Sequence, residues 1–266
     1  MYQAHWGLKE QPFRGCVDAK SFYQSPTHEE ALARLNFLVE QHRRLGLLIG
    51  PSGSGKSLVL EVFAQQLRRR GRSVAKLSLL GVEPAEMLSL LATEWELPIG
   101  LLQSPPVLWR ALTNRLIEHR YQQLETVVLL DDVDQADPRT LQHVARLVRF
   151  DPSPDMRLTV VLAGRQECLG KLGQSLLSLA DLRIDVEPWQ RADTEQYVTT
   201  LLSQAGRCTP VFAEPAFDRL HELAHGIPRR VSQLAGLALL AGAGQNLSQI
   251  DARVVEEAYQ ELCVVG

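Results

Sequence analysis

The chain has 266 residues, of which 45% are hydrophobic, and it carries a formal net charge of −3. This content is enough to bury a sizeable core, so we expect one α/β domain with a smaller attachment and no disordered tail. The small negative net charge argues against binding of nucleic acid over the whole protein surface, although a local basic patch is still compatible with it. Four scattered cysteines, Cys16, Cys168, Cys208 and Cys263, predict free thiols of a cytoplasmic protein.

No segment of the sequence has the pattern of a secretory signal or of a membrane span. The first residues, Met1 to Trp6, lack both a basic region and an apolar stretch. The longest apolar run, Leu234 to Gly244, is shorter than the roughly 20 residues that a spanning helix requires, and predicts a packed helix instead.

The most informative stretch is a complete GxxxxGK[ST] phosphate loop at residues 50–57. Its glycines let backbone N–H groups curl around phosphates, Lys56 reaches the β- and γ-phosphates, and Ser57 ligates Mg²⁺. The apolar run Leu45 to Ile49 precedes the loop and the helical pattern Leu58 to Arg70 follows it, which argues against a chance match. The predicted nucleotide-binding residues are Gly50, Pro51, Ser52, Gly53, Ser54, Gly55, Lys56, Ser57 and Leu58.

Acidic residues follow a second apolar strand. The β-branched run Thr126 to Leu130 ends at Asp131 and Asp132. A carboxylate at this end of a buried strand is where a Walker B aspartate holds the Mg²⁺ shell, so we assign Asp131 to the metal. Asp132 lies where many ATPases have a glutamate that polarises water, although it also fits a solvated loop acid because it is one methylene shorter. Asp134 is predicted to be a solvated acid of a loop that enters a helix at Ala136.

Strand and helix patterns alternate from residue 45 to Pro188. This alternation predicts a parallel sheet covered on both faces, with ligands at the carboxyl ends of its strands. After Pro188 only helices are predicted, with a turn at Gly242 to Gly244, so we expect an α/β domain over residues 1–188 and a helical domain over residues 189–266. The predicted strands are Leu45 to Ile49, Ser73 to Leu79, Thr126 to Leu130, Arg157 to Ala163 and Arg183 to Val186, and the predicted C-terminal helices are Ala192 to Ala205, Glu214 to Ala224, Pro228 to Ala241 and Ser248 to Glu261.

These motifs together resemble one protein family. The N-terminal groups that carry the resemblance are Trp6-Gly7-Leu8, Pro12-Phe13, Phe22-Tyr23, Ser25-Pro26 and His28 to Leu32. They are similar to the N-terminus of ExeA-type AAA+ ATPases, the general secretion pathway protein A group. The phosphate loop, Asp131, the strand end at Gly164 and the segment Gly226 to Arg230 follow in that family's order, so the resemblance covers essentially the whole chain.

The resemblance implies a RecA-like AAA+ core with a small helical lid, ATP with Mg²⁺, and a homo-oligomer in which a neighbour completes the site. By position, Tyr23 and His28 would lie around the adenine together with Trp6 and Phe13, unless these aromatic residues form satellite core. Arg229 matches the lid arginine called sensor 2, whose guanidinium pairs with the γ-phosphate.

Two further arginines receive catalytic roles from the resemblance. Arg165 occupies the sensor 1 region, where family members usually carry a glutamine, and Gln166 is the alternative. The family's trans-acting arginine is replaced by Leu179, and Arg183 is the arginine nearest to that place. Departures of this kind leave the identity of the trans-acting arginine open.

The sequence therefore predicts a cytoplasmic ATPase that couples Mg·ATP turnover to movement of the lid and of neighbouring subunits, with an unidentified protein partner in secretion or pilus-type assembly. The alternative is a slowly hydrolysing, nucleotide-switched binding module that acts on DNA or a protein, because Asp132 replaces the usual glutamate. The basic cluster Arg68-Arg69-Arg70 with Arg72 is a candidate DNA contact, but cations at a helix C-terminus also stabilise the helix dipole.

Overall fold

The structure is a computed structural model that describes residues 2–13, 22–98, 104–153 and 155–263, without the side chains of residues 168 and 263. The thiol state predicted for Cys16, Cys168 and Cys263 therefore lies outside the described residues. Cys208 is an exposed free cysteine.

The chain divides into two compact units. The core unit contains the described parts of residues 28–50 and 56–186, and the lid unit contains the described parts of residues 1–27 and 187–266 together with residues 51–55. The sequence analysis placed residues 1–188 together, whereas here the N-terminal residues and the tip of the phosphate loop group with the C-terminal helices. The proposed division into domains at residues 1–188 and 189–266 stays a prediction.

The core unit contains a five-stranded, fully parallel sheet with the strand order β2-β3-β4-β1-β5. Its central strands are buried along their whole length and consist mostly of aliphatic residues, as expected where both faces of a parallel sheet are covered. The predicted α/β fold is confirmed, and each predicted strand end lies within one residue of the observed one. The strands are β1 (Leu45–Ile49), β2 (Ser73–Ser78), β3 (Thr126–Asp131), β4 (Leu158–Gly164) and β5 (Leu182–Asp185).

Helices connect the strands and form most of the lid unit. Within the described part of the chain, none of them has both the length and the apolar content needed to cross a bilayer. The last helix begins at Ala252 rather than at the predicted Ser248, because Ile250 forms an isolated β-bridge with Phe212. The described helices are α1 (Tyr2–Trp6), α2 (Pro26–Glu40), α3 (Lys56–Arg69), α4 (Pro84–Glu94), α5 (Pro105–Tyr121), α6 (Pro138–Val148), α7 (Gln174–Leu177), α8 (Arg191–Gln204), α9 (Glu214–Ala224), α10 (Pro228–Gly244) and α11 (Ala252–Cys263), with 3-10 turns at Val133–Gln135 and Gln166–Leu172.

The N-terminal segment belongs to the hydrophobic core of the lid unit. Trp6 is 1% exposed and donates its indole N–H to the carbonyl of Leu239 at 2.8 Å. The backbone N–H of Lys9 bonds the carbonyl of Ala205 at 2.8 Å, and Phe13 is buried in the same cluster. Trp6 and Phe13 are therefore core residues, and the structure favours the satellite-core alternative over adenine contact for both.

The turn predicted at Gly242 to Gly244 is wrong. Helix α10 continues through Gly244, and the left-handed residue that follows it is Asn246, with φ of 54°. Gly242 instead allows close packing, since a Cβ atom there would lie 3.0 Å from Trp6 Cζ2 and 3.1 Å from Ile250 Cγ1. The glycine reflects a tertiary contact that local sequence pattern does not show.

This contact predicts opposite effects for two glycines of the same helix. Gly242→Ala should destabilise the protein by about 1–3 kcal/mol, because the added methyl overpacks the site against Trp6 and Ile250. Gly244→Ala is the matched control, because its Cβ atom would have no tertiary neighbour within 4 Å among the described residues. That control should be neutral or stabilised by up to about 1 kcal/mol through helix propensity. Thermal unfolding followed by circular dichroism measures both, and equal stability of the two variants would contradict the packing argument.

Candidate functional site

Lys56 begins α3 directly after the phosphate loop. Its side chain is 9% exposed, and Nζ donates to the carbonyl of Gly50 at 2.8 Å. Burial lowers the pKa of Lys56, and the negative charges of four carboxylates, those of Asp131, Asp134, Asp132 and Glu167, oppose this lowering. The structure thus places the predicted phosphate-binding cation at the carboxyl edge of the sheet, within the field of these carboxylates.

Asp131 ends β3 and is 6% exposed. Burial raises the pKa of its carboxyl, and a hydrogen bond from the Ser57 hydroxyl opposes this rise. The pair brings a carboxylate and a hydroxyl together, and Mg²⁺ prefers such hard oxygen ligands alongside phosphates and water. The two residues that the sequence assigns to the metal are therefore adjacent, and their donor chemistry fits Mg²⁺.

Asp132 follows in a left-handed backbone conformation, with φ of 54°. Its Oδ2 accepts a hydrogen bond from the Ser78 hydroxyl at 2.8 Å. Ser78 ends the neighbouring strand β2, in register with Asp131. Sequence reasoning missed Ser78, and the available signal was a hydroxyl residue at the end of a strand that pairs with β3.

The prediction that Asp134 is a solvated acid is wrong. Its side chain is 4% exposed, and it accepts hydrogen bonds from Arg165 Nε at 2.7 Å and from the Arg165 backbone N–H at 3.2 Å. Burial by itself raises the pKa of Asp134, but the hydrogen bonds and charge of Arg165 lower it overall. The 3-10 turn Val133–Gln135 directs this carboxylate toward the end of β4 instead of toward solvent.

Within the lid unit, the tip of the phosphate loop contacts the start of α10. Gly53 and Gly55 have φ of 82° and 97°, a conformation that favours glycine. The backbone N–H of Arg229 donates to the carbonyl of Gly53 at 3.2 Å. A Cβ atom at Gly53 would lie 3.0 Å from Arg229 Cβ and 3.1 Å from Ile227 Cγ2. Arg229, the predicted sensor 2 residue, is thus adjacent to the loop, and its side chain is exposed.

Tyr23 and His28, the two residues predicted to face the adenine, belong to different units. Tyr23 packs edge-on against Trp189 and Tyr197, with ring centroids 5.6 and 5.5 Å apart. The Trp189 indole N–H bonds the Ser25 hydroxyl at 2.9 Å. His28 belongs to the core unit and is 3% exposed. The adenine roles of Tyr23 and His28 stay predictions.

Arg183 lies on the edge strand β5. Its Nη2 is 2.7 Å from Asp185 Oδ1, and the two side chains are 45% and 42% exposed. The trans-acting role predicted for Arg183 would therefore require it to leave a carboxylate of its own strand.

Members of the basic cluster after α3 have partners within the core unit. Arg68 pairs with Glu94 at 3.3 Å, and Arg72 pairs with Glu125 at 2.5 Å. These ion pairs favour the structural interpretation of the cluster over a DNA contact.

Comparison with known proteins gives a family match and a relative in a bacterium. Residues 39–172 match the protein family described as "AAA domain". General secretion pathway protein A of Aeromonas hydrophila is 29% identical over 254 residues, which cover 94% of this chain and 46% of that protein. The chain therefore spans less than half the length of this relative.

Several solved structures share the fold. Drosophila ORC bound to DNA matches with a TM-score of 0.74 and 15% identity, covering 98% of this chain and 66% of that chain. Cdc6p of Pyrobaculum aerophilum matches with a TM-score of 0.71 and 16% identity, covering 92% and 71%. The RuvB branch migration motor of Thermotoga maritima has a TM-score of 0.61 and 12% identity, covering 95% and 74%. At these identities the comparison shows a common architecture only.

Proposed function

Because this chain belongs to the AAA+ ATPases, we propose that it binds Mg·ATP at the phosphate loop and couples hydrolysis to rearrangement of its lid and of neighbouring subunits. The observation that supports this most directly is the contact between Ser57 and the buried Asp131, beside the buried Lys56. Phosphoryl transfer needs positioned charge more than covalent chemistry, and these three residues supply the cation and the metal ligands.

The remaining roles follow from position. Asp132 orients the attacking water and accepts its proton, with Ser78 fixing the carboxylate. Arg229 contacts the γ-phosphate from the start of α10, where its backbone already bonds Gly53. Arg165 acts as a cation at the end of β4, and Tyr23 and His28 flank the adenine.

The biological setting is proposed from the relative. The name general secretion pathway protein A supports a role in secretion or pilus-type assembly, with a protein partner that is still to be identified. A homo-oligomer and a cytoplasmic location are part of the same proposal, and the location rests on the scattered cysteines.

A second candidate function is a slow nucleotide switch that binds DNA or a protein. Asp132 favours this function, because its side chain is shorter than that of glutamate. In addition, its carboxylate already accepts a hydrogen bond from the Ser78 hydroxyl at 2.8 Å. Steady-state ATP turnover measured with and without DNA separates the two functions.

Two substitutions test the proposed ATPase. Lys56→Ala should abolish ATP binding, because Lys56 is the cation that the loop directs to the β- and γ-phosphates. Asp132→Asn should keep ATP bound while slowing turnover by about 10²- to 10⁴-fold, because the amide cannot accept the proton of water. Fluorescent ATP titration and steady-state phosphate release measure the two effects.

Lys171→Ala and Asp155→Asn are controls at exposed positions, and both should keep wild-type binding and turnover. Wild-type ATP affinity in Lys56→Ala would refute the phosphate-loop assignment. An unchanged rate in Asp132→Asn would move the proton acceptor elsewhere.

Ser78→Ala tests the positioning of Asp132. It should slow turnover several-fold with unchanged ATP affinity, since the carboxylate loses the hydroxyl that fixes its orientation. Ser89→Ala is the control, because the Ser89 hydroxyl donates to a carbonyl of its own helix, that of Ala85, at 3.1 Å. Equal losses of affinity and turnover in Ser78→Ala would point to a general defect of the site.

Assembly is tested by mixing two inactive variants. If Arg183 acts on a neighbouring subunit, Arg183→Ala should bind ATP normally but turn it over slowly, and adding Lys56→Ala protein should restore activity. An arginine supplied in trans contributes roughly 10³- to 10⁵-fold to rate. Activity that stays absent at every mixing ratio would show that Arg183 has no trans-acting role.

A further inference from the structure

The pair formed by Asp134 and Arg165 is unevenly buried. The Asp134 side chain is 4% exposed, whereas the Arg165 side chain is 41% exposed. A buried carboxylate is costly unless it is paired and hydrogen-bonded, so Asp134 depends on Arg165. We call the buried Asp134 carboxylate the anchor of this pair. The Arg165 side chain extends from it toward solvent.

Three features fix the geometry of the anchor. Asp134 uses one oxygen for Arg165 Nε, at 2.7 Å, and the other for the Arg165 backbone N–H, at 3.2 Å. The residue before Arg165 is Gly164, and a Cβ atom there would lie only 3.1 Å from Asp134 Oδ1, so a glycine leaves room for the carboxylate. The carboxylate engages Nε, and the other side-chain donors of an arginine are on its two Nη groups. Both the main chain and the side chain of Arg165 are thus oriented by one buried acid.

The anchor adjoins the phosphate loop within the core unit. Gly164 is in register with Ile49, and its carbonyl accepts the backbone N–H of Gly50 at 3.4 Å. Gly50 in turn accepts the hydrogen bond from Lys56 Nζ at 2.8 Å. Arg165 therefore follows directly after the β4 residue that bonds the first residue of the loop.

A purely structural ion pair explains this arrangement less well. Replacement of a buried ion pair by well-packed apolar side chains is often neutral or stabilising, so stability alone gives little reason for a charged pair at this position. A charged pair at the ligand-binding edge of a parallel sheet, beside a buried lysine, is instead typical of functional sites.

We propose that Asp134 is a positioning residue that holds Arg165 on the γ-phosphate of ATP bound by the same subunit. This inference rests on the proposed ATPase function. In the reaction, the oxygen of water bonds the γ-phosphorus while the bond from that phosphorus to the β,γ-bridging oxygen breaks. ADP leaves with the electron pair, the proton of water passes to the Asp132 carboxylate, and Arg165 donates N–H groups to the γ-phosphate oxygens.

A double-mutant cycle tests the proposal through kcat, KM and nucleotide preference. Arg165→Ala should lower kcat by about 10²- to 10³-fold, the usual loss for a positioned donor. Asp134→Asn should lower kcat by about 10- to 100-fold, as expected for a residue that orients another. The double variant should match Arg165→Ala, because Asp134 acts only through the arginine.

Nucleotide binding and chemical rescue are two further measurements. Neither would change if Asp134 and Arg165 had only a structural role. Each single variant should lose preference for a non-hydrolysable ATP analogue over ADP, because only the former has a γ-phosphate. Guanidinium ion, added at concentrations too low to unfold the protein, should restore activity to Arg165→Ala but not to the double variant, which lacks the carboxylate that would hold it.

Asp151→Asn is the matched control. Asp151 pairs with Arg120 at 2.5 Å in the same unit, and its carbonyl bonds Arg44, which precedes β1 at the amino edge of the sheet. This control should keep wild-type kcat even if its melting temperature falls.

Multiplicative losses in the double variant, or a lower melting temperature of Asp134→Asn with unchanged kcat and nucleotide preference, would overturn the inference. A wild-type protein without Lys56-dependent turnover would instead refute the proposed function, and the nucleotide preference would still decide the role of Asp134.

Discussion

The parallel register of β1, β3 and β4 is the constraint on which the candidate site depends. Ile49 is level with Gly164 on one side, and Leu130 is level with Leu162 on the other. Parallel strands end at one edge of a sheet, so this pairing places the residues after each strand in a single row. The loop start, Asp131 and Arg165 are therefore neighbours although more than 100 residues separate the first from the last. Apolar burial sets the register, and the charged residues follow it.

Concentrated charge at this edge has a cost that the residues themselves offset. Burial disfavours the cationic form of Lys56 and the anionic form of Asp131, and it lowers the pKa of the first and raises that of the second. Asp134 is also buried, yet its pKa falls because Arg165 binds it twice. The site thus contains one acid already satisfied within the chain and another whose pKa is raised by burial. Under the proposed function, this difference corresponds to two roles: Asp134 positions an arginine and Asp131 binds the divalent cation.

The sequence predicted the strands and the phosphate loop well because both depend on local pattern. Leu45 to Ile49 is a continuous apolar run, and the glycines of the loop are required by backbone geometry, so neighbours in sequence contain the necessary information. Asp134 and Gly242 were misjudged for the opposite reason. The first is buried by a residue 31 positions away, and the second contacts Trp6 across most of the chain. Ser78 was missed because its relation to Asp132 exists only once β2 and β3 pair.

Within the lid unit, a main-chain hydrogen bond joins the tip of the phosphate loop to helix α10. The first N–H groups of a helix have no partner within the helix. In α10, the N–H group of Arg229 donates its hydrogen bond to the carbonyl of Gly53. This contact needs a glycine, since φ at Gly53 is 82° and a side chain there would meet Ile227 and Arg229. Helix α10 is held in turn by Trp6, through the carbonyl of Leu239. A change in the conformation of Gly53 therefore acts on the packed helix α10 and not on the Arg229 side chain alone.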